Sequence, residues 1–201
     1  GDMTGWDTTG AVAFKHSSQD VYTDPVFTII FTTNAANKYW KIIPKNNFDG
    51  DFWKTGINGV LGTAVDGDTS MEGKLTTDNP QAGKIVEAGI YRMTINMMDY
   101  TYKIEKLNFQ EFMYMAGDAN GWSQIDILQS PAFDGIYTGY MYMNQNGFKF
   151  CTQPNWNGPN YGAGFSTAGD AANITLTEPE GFYKVNLDMG ALSYTVTPIT
   201  T

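Results

Sequence analysis

Residues 89–104, GIYRMTINMMDYTYKI, lie residue for residue on residues 181–196, GFYKVNLDMGALSYTV, and this self-match decides the fold. Tyr91 falls on Tyr183, Arg92 on Lys184, Met97 on Met189 and Tyr102 on Tyr194. Each segment reads as a β-hairpin that closes a module. A fixed internal period has to be found before any fold is assigned. Working outward, GDMTGW at residues 1–6 matches GDANGW at residues 117–122, and YWKII at 39–43 lies on FKFC at 148–151, with Lys41 at the place of Lys149. FDGDFW at 48–53 lies on the loop 156–161. The spacing predicts two copies of one module, residues 1–107 and 111–201, joined by a short linker near 107–110.

Composition agrees with an all-β class. The 201 residues are 42% hydrophobic and 14% aromatic, with 22 Gly, 12 Tyr and 12 Phe, which suits short strands joined by tight turns. In the first copy strands are expected near 26–33, 38–43, 84–87, 91–97 and 101–106. In the second they are expected near 111–116, 135–143, 147–152, 173–177, 182–187 and 193–197. Strands this short close as two-layer sandwiches, so the expected architecture is two tandem immunoglobulin-like β-sandwiches. The first copy is longer between residues 54 and 87, a Gly-, Thr- and Asp-rich stretch that reads as an extended loop.

The alternation Phe148, Lys149, Phe150 has period two, so the phenylalanines point into a core and the lysine points out. Cys151 shares the lysine's parity, although strand twist can carry it under cover. Beyond it, Pro154 and Gly158 break the strand, and the loop holding Trp156 and Tyr161 is too short and polar to bury both rings. Exposed aromatics usually have a partner. A pyranose offers an apolar C–H face to a ring and hydroxyls to Lys149 and to the amides of Asn155, Asn157 and Asn160. On the segment alone, Trp156 capping the sandwich end beside an ordinary solvated lysine serves equally well.

The order strand, GDxNGW turn, hairpin, Phe-Lys-Phe strand and loop tryptophan resembles the starch- and glycogen-binding β-sandwich modules. The tandem arrangement is similar to the SusE/SusF starch-binding outer-membrane lipoproteins of Bacteroides-type gut bacteria. The resemblance implies that Trp122, Lys149 and Trp156 hold an α-1,4-glucan, with Tyr161 a further platform. It also implies a place on the bacterial surface beside an outer-membrane glycan importer. In the first copy the internal match points to Trp6, Lys41 and Trp53, with Phe48 at the place of Trp156. Trp40, one residue off the lysine parity, is expected in the core with Ile42.

Other functions find little support. A net charge of −9 without a basic run argues against nucleic acid and anionic membrane as partners. The lone histidine, His16, has no nucleophile or ligand motif around it and is expected at the surface. Asp66, Asp68, Ser70 and Glu72 lack the glycine and distant glutamate of a calcium loop. No metal, cofactor or catalytic residue is expected. Two alternatives stay open: the same fold binding a β-glucan or hemicellulose, and a scaffold whose aromatics bind protein. Rings set at an angle suit a curved starch chain and coplanar rings a flat one.

Overall fold

The computed structural model describes residues 1–200, and the chain divides into two compact units, Gly1–Leu107 and Asn108–Thr201. Apart from short 3-10 turns, its regular structure is all strand. The first unit contains β1 (Val26–Thr33), β2 (Lys38–Trp40), β3 (Glu72–Lys74), β4 (Gly83–Ile85), β5 (Gly89–Asn96) and β6 (Thr101–Leu107). Four of these form an antiparallel sheet in the order β1-β5-β6-β3, while β2 pairs with β4. Burial alternates along β5, with Tyr91, Met93 and Ile95 inward and Arg92 and Thr94 on the other face. They meet Tyr102 and Ile104 of β6 and Trp40 of β2 in one core. Trp40 is buried as its parity requires and stands edge-on to Tyr102, with ring centroids 5.1 Å apart. Each such side chain contributes about 1.5–3 kcal/mol of apolar burial.

The long stretch between residues 54 and 87 is not an open loop. Val60, Leu61, Thr63, Leu75 and Ala82 are buried within it. The isolated bridge Ile42↔Leu61 ties it to the β2 side, and Gly62↔Thr76 and Thr63↔Gln81 fold it back on itself. Its buried apolar residues are spread too thinly for a periodic signal, and Ile57 and Val65 stay exposed among them.

The second unit contains β7 (Phe112–Gly117), β8 (Asp126–Gln129), β9 (Ile136–Met143), β10 (Phe148–Cys151), β11 (Asn160–Tyr161), β12 (Gly181–Asp188) and β13 (Ser193–Pro198). They form one antiparallel sheet in the order β11-β10-β7-β8-β9-β12-β13. The β8–β9 step registers only Gln129 against Thr138, and there the sheet curls over on itself. Phe148 and Phe150 from one half consequently meet Tyr194 of β13 from the other, with centroids 5.7 and 5.6 Å apart. Strand β8 escapes sequence reasoning because only Leu128 of its four residues is fully buried. The stretch 173–177 makes a single bridge, Ile174↔Phe148, although Ile174 and Leu176 are buried as a strand would bury them.

The hairpins β5–β6 and β12–β13 both close after matched end pairs, Asn96↔Thr101 and Asp188↔Ser193. Tyr91 and Tyr183 each donate their hydroxyl to the carbonyl four residues back, on Glu87 and Pro179. A buried phenol needs such an acceptor. Tyr137 has its own, the Gln110 carbonyl at 2.6 Å, and burial pushes its pKa up to about 12.

Candidate functional site

Both GDxxGW segments form the same compact turn. A 3-10 turn at Asp2–Thr4 or Asp118–Asn120 ends in a left-handed glycine, Gly5 (φ 71°) or Gly121 (φ 68°). The tryptophan that follows is also left-handed, at φ 56° for Trp6 and 62° for Trp122. Its amide closes the turn on the first glycine, Trp6 N–H to the Gly1 carbonyl at 3.2 Å and Trp122 N–H to the Gly117 carbonyl at 2.8 Å. The first glycine is required by close approach. A Cβ at Gly117 would lie 2.8 Å from the Gly147 carbonyl oxygen, and one at Gly1 would lie 2.6 Å from that of Tyr39. The turn thus sits hard against the segment leading into the lysine strand. A left-handed tryptophan is strained, and strain of this kind clusters where a side chain must be aimed.

In the first unit the candidates converge. Trp6 and Trp53 lie with ring centroids 6.0 Å apart and planes tilted by 36°, and the Lys41 ammonium sits 6.0 Å from the Trp53 centroid. Trp53 is 45% exposed. Phe52 stands edge-on to Trp53 at 4.9 Å, and Phe48 edge-on to Phe52 at 5.2 Å, so Phe48 joins the cluster through a ring that sequence reasoning passed over. The loop carrying these rings is braced from within. Asn47 is buried and donates its amide to the carbonyls of Phe52 and Lys54 at 3.1 and 3.2 Å. A buried amide that spends both N–H groups on the loop's own carbonyls rigidifies the loop around it.

In the second unit the rings are placed but not assembled. Lys149 is half-buried on the outer face of β10, opposite Ala116 of β7, and Trp156 is 46% exposed in the loop that follows. Asn155 turns that loop by accepting the Asn157 amide at 2.8 Å. Among the described residues, no ring contact joins Trp122 to Trp156. Tyr161 departs from expectation. It pairs directly opposite Phe150 in the β10–β11 ladder, and directly opposed residues share a face, so its ring points coreward and packs with Phe165. A two-residue strand gives no alternation to read, so the loop hid this register. Asn160, opposite Cys151, lies instead on the lysine face.

Cys151 has the parity of Lys149 yet is buried. Burial pushes its thiol pKa up, with Gln124 and Lys149 opposing. His16 is likewise less free than expected, stacked on Phe27 at 4.0 Å with Nε2 2.6 Å from the Asp24 carbonyl.

The acidic residue of each turn is an anchor. Asp2 accepts the Trp6 indole N–H at 2.7 Å on one oxygen and the Tyr39 amide at 2.8 Å on the other, and these bonds hold its pKa below the usual carboxylate value. Asp118 accepts the side-chain amides of Asn146 and Asn144 at 2.9 and 2.8 Å, with the same effect on its pKa. Asn120 adds bonds to the Gly117 amide, the Met115 carbonyl and Asp126. The repetition of the aspartate in both GDxxGW turns was the available signal for these anchors. Among the described residues, no group of three or more His, Cys, Asp or Glu side chains could hold a metal ion.

An all-β chain that sets a tilted pair of tryptophans, one of them exposed, beside a lysine, on a strained turn and a braced loop, has the make-up of a carbohydrate-binding module. Residues 1–106 match the family described as "SusF, first starch specific CBM", and the chain belongs to that family. It is 25% identical over 170 residues to the outer membrane protein SusF of Bacteroides thetaiotaomicron, covering 78% of this chain and 33% of that relative. The crystal structure of SusF from the same organism is 21% identical, with a TM-score of 0.46 over 97% of this chain and 46% of that one. The chain therefore spans less than half the length of either.

Proposed function

We propose that the chain is a non-catalytic glycan-binding protein, built as two tandem immunoglobulin-like β-sandwich modules that bind starch-like α-1,4-glucan. The first site is Trp6, Lys41 and Trp53, flanked by Phe48. The second is Trp122, Lys149 and Trp156, with the amides of Asn155 and Asn157. The observation that carries this reading is the 36° tilt between Trp6 and Trp53 at 6.0 Å. Two neighbouring rings at that angle follow a chain that curves from one glucose to the next, whereas a flat β-linked chain calls for coplanar rings. Lys41 supplies donors at the rim for sugar hydroxyls. The kinship to an outer membrane protein supports a place at the bacterial outer membrane, where such binding captures glycan for an importer. Among the described residues, no helix is long and apolar enough to cross a membrane.

Gel retardation of the intact chain across amylopectin, xyloglucan, a β-glucan and mannan tests this reading. Retardation by amylopectin alone is expected, and retardation by a β-linked polymer with none by amylopectin overturns it. A protein-binding role would use a different surface, the outer face of β9 and β12. There Tyr140 and Phe182 are 66% and 62% exposed, and Tyr142 stands edge-on to Phe182. Replacing Tyr140 and Phe182 by serine separates the two roles, because amylopectin retardation should survive it.

A further inference from the structure

Trp6 is held in a way that Trp122 is not. Its indole N–H is taken by Asp2 at 2.7 Å, and the other oxygen of the same carboxylate takes the backbone N–H of Tyr39 at 2.8 Å. Tyr39 lies on β2, two residues before Lys41. One side chain therefore bridges the stacking ring and the strand that leads to the lysine. In the second unit the corresponding carboxylate, Asp118, spends its bonds on Asn144 and Asn146. Among the described residues, the Trp122 indole N–H has no protein partner.

We propose that Asp2 is a positioning residue that sets the angle of Trp6 against Trp53, so that the first unit meets its glucan with a preformed pair of rings. The proposal rests on the glucan reading above and deepens it. Two consequences follow from the bonding. The Trp6 indole N–H is already satisfied, so Trp6 recognises sugar through its ring face alone, whereas Trp122 keeps a donor for a hydroxyl. The carboxylate is also the one acidic group that can fill both places, since it offers two acceptor oxygens to two N–H groups. Asparagine has one acceptor and presents an NH₂ where the second is needed.

The charged side chain that faces Asp2 is Lys38 of β2, and it favours the ionised form. The clamp is therefore complete at neutral pH. It opens only as pH falls through the lowered pKa of Asp2, below about pH 4.

The test uses the full chain with the second site removed by Trp122→Ala and Trp156→Ala, titrated calorimetrically with maltoheptaose. Adding Asp2→Asn should weaken binding about three- to tenfold, the cost of ordering one side chain on binding, with the thermal midpoint unchanged. The parent should lose affinity below about pH 4 while its circular dichroism still reports a folded chain, and the Asp2→Asn variant should not. By NMR, exchange of the Trp6 indole proton should be slow in the parent and fast in the variant. Unchanged affinity in a folded Asp2→Asn variant overturns the proposal. Should that variant lose stability, fast exchange of the Trp6 indole proton in the parent at neutral pH overturns it instead. A Trp6→Ala, Trp53→Ala control that binds as well as the parent defeats the glucan reading, while the indole exchange still reports on the clamp.

Discussion

Removing Trp53 is the sharpest perturbation of the first unit. The ring is 45% exposed, and a tryptophan carries about 250 Å² of surface, so about 110 Å² faces solvent. A pyranose laid on one side covers about half of that, roughly 55 Å². At about 25 cal/mol per Å² this is worth about 1.4 kcal/mol, or about tenfold in affinity. Trp53→Ala in a chain already lacking Trp122 and Trp156 should thus weaken maltoheptaose binding about tenfold by calorimetry. Adding Trp6→Ala should bring the loss to the order of a hundredfold. Stability should change little, because Trp53 lies outside the buried cluster and its loop is braced by Asn47 rather than by the ring. Affinity within a factor of two of the parent, in a variant that remains folded, would refute the reasoning that this ring meets the sugar.

Loss of either pair, Trp6 with Trp53 or Trp122 with Trp156, should weaken retention on insoluble starch far more than binding of a short maltooligosaccharide, since a polymer reaching both sites makes the second contact intramolecular. Equal losses on both ligands would mean that the sites do not cooperate. Affinity for maltoheptaose should stay nearly constant between low and high salt, as the proposed ligand is neutral, and a steep fall would indicate a charged partner. Tyr161→Ala should destabilise the second unit by about 2 kcal/mol in denaturant titration, since the ring packs coreward, and an unchanged midpoint would return it to the surface. Tyr137→Phe loses the bond to Gln110 and should cost about 1 kcal/mol at neutral pH. Because its folded pKa, about 12, lies above the unfolded value near 10, the native Tyr137 adds stability that is full below pH 10 and lost as pH rises toward 12. The variant should therefore show a shallower alkaline decline.

How far the molecule was legible from its sequence depended on the length of each periodic run. β1 spans the eight residues expected of it, and the alternation in β5 and β12 gives each inward side chain directly. Three residues sufficed at Phe148, Lys149 and Phe150, because two large phenylalanines flank a lysine and only one parity can bury them. Tyr161 failed for the opposite reason. Its strand is two residues long, and its direction is set by the ladder with Phe150, a partner eleven positions away. Residues 54–87 misled through composition, since Gly, Thr and Asp are also what a well-packed irregular segment needs to turn tightly around Val60 and Leu61. At the site, the sequence places Trp6, Lys41 and Trp53 on corresponding elements but carries no angle, which depends on the Asp2 bond and on the path of the Asn47 loop. Phe52 was missed because it shares its loop with two more conspicuous rings.

The left-handed tryptophans carry a consequence for how such a surface changes under mutation. At Trp6 and Trp122 the backbone adopts a conformation that glycine or asparagine enters freely, while a bulky residue is disfavoured there by roughly 1–2 kcal/mol. Most substitutions that erase a surface aromatic are neutral for folding or mildly harmful. Here the commonest permissive replacements would relax the turn and make the chain more stable while deleting the ring. Drift at these two positions therefore runs downhill toward a sturdier, smoother molecule, and a tryptophan persists there only where what it touches outweighs the strain of holding it.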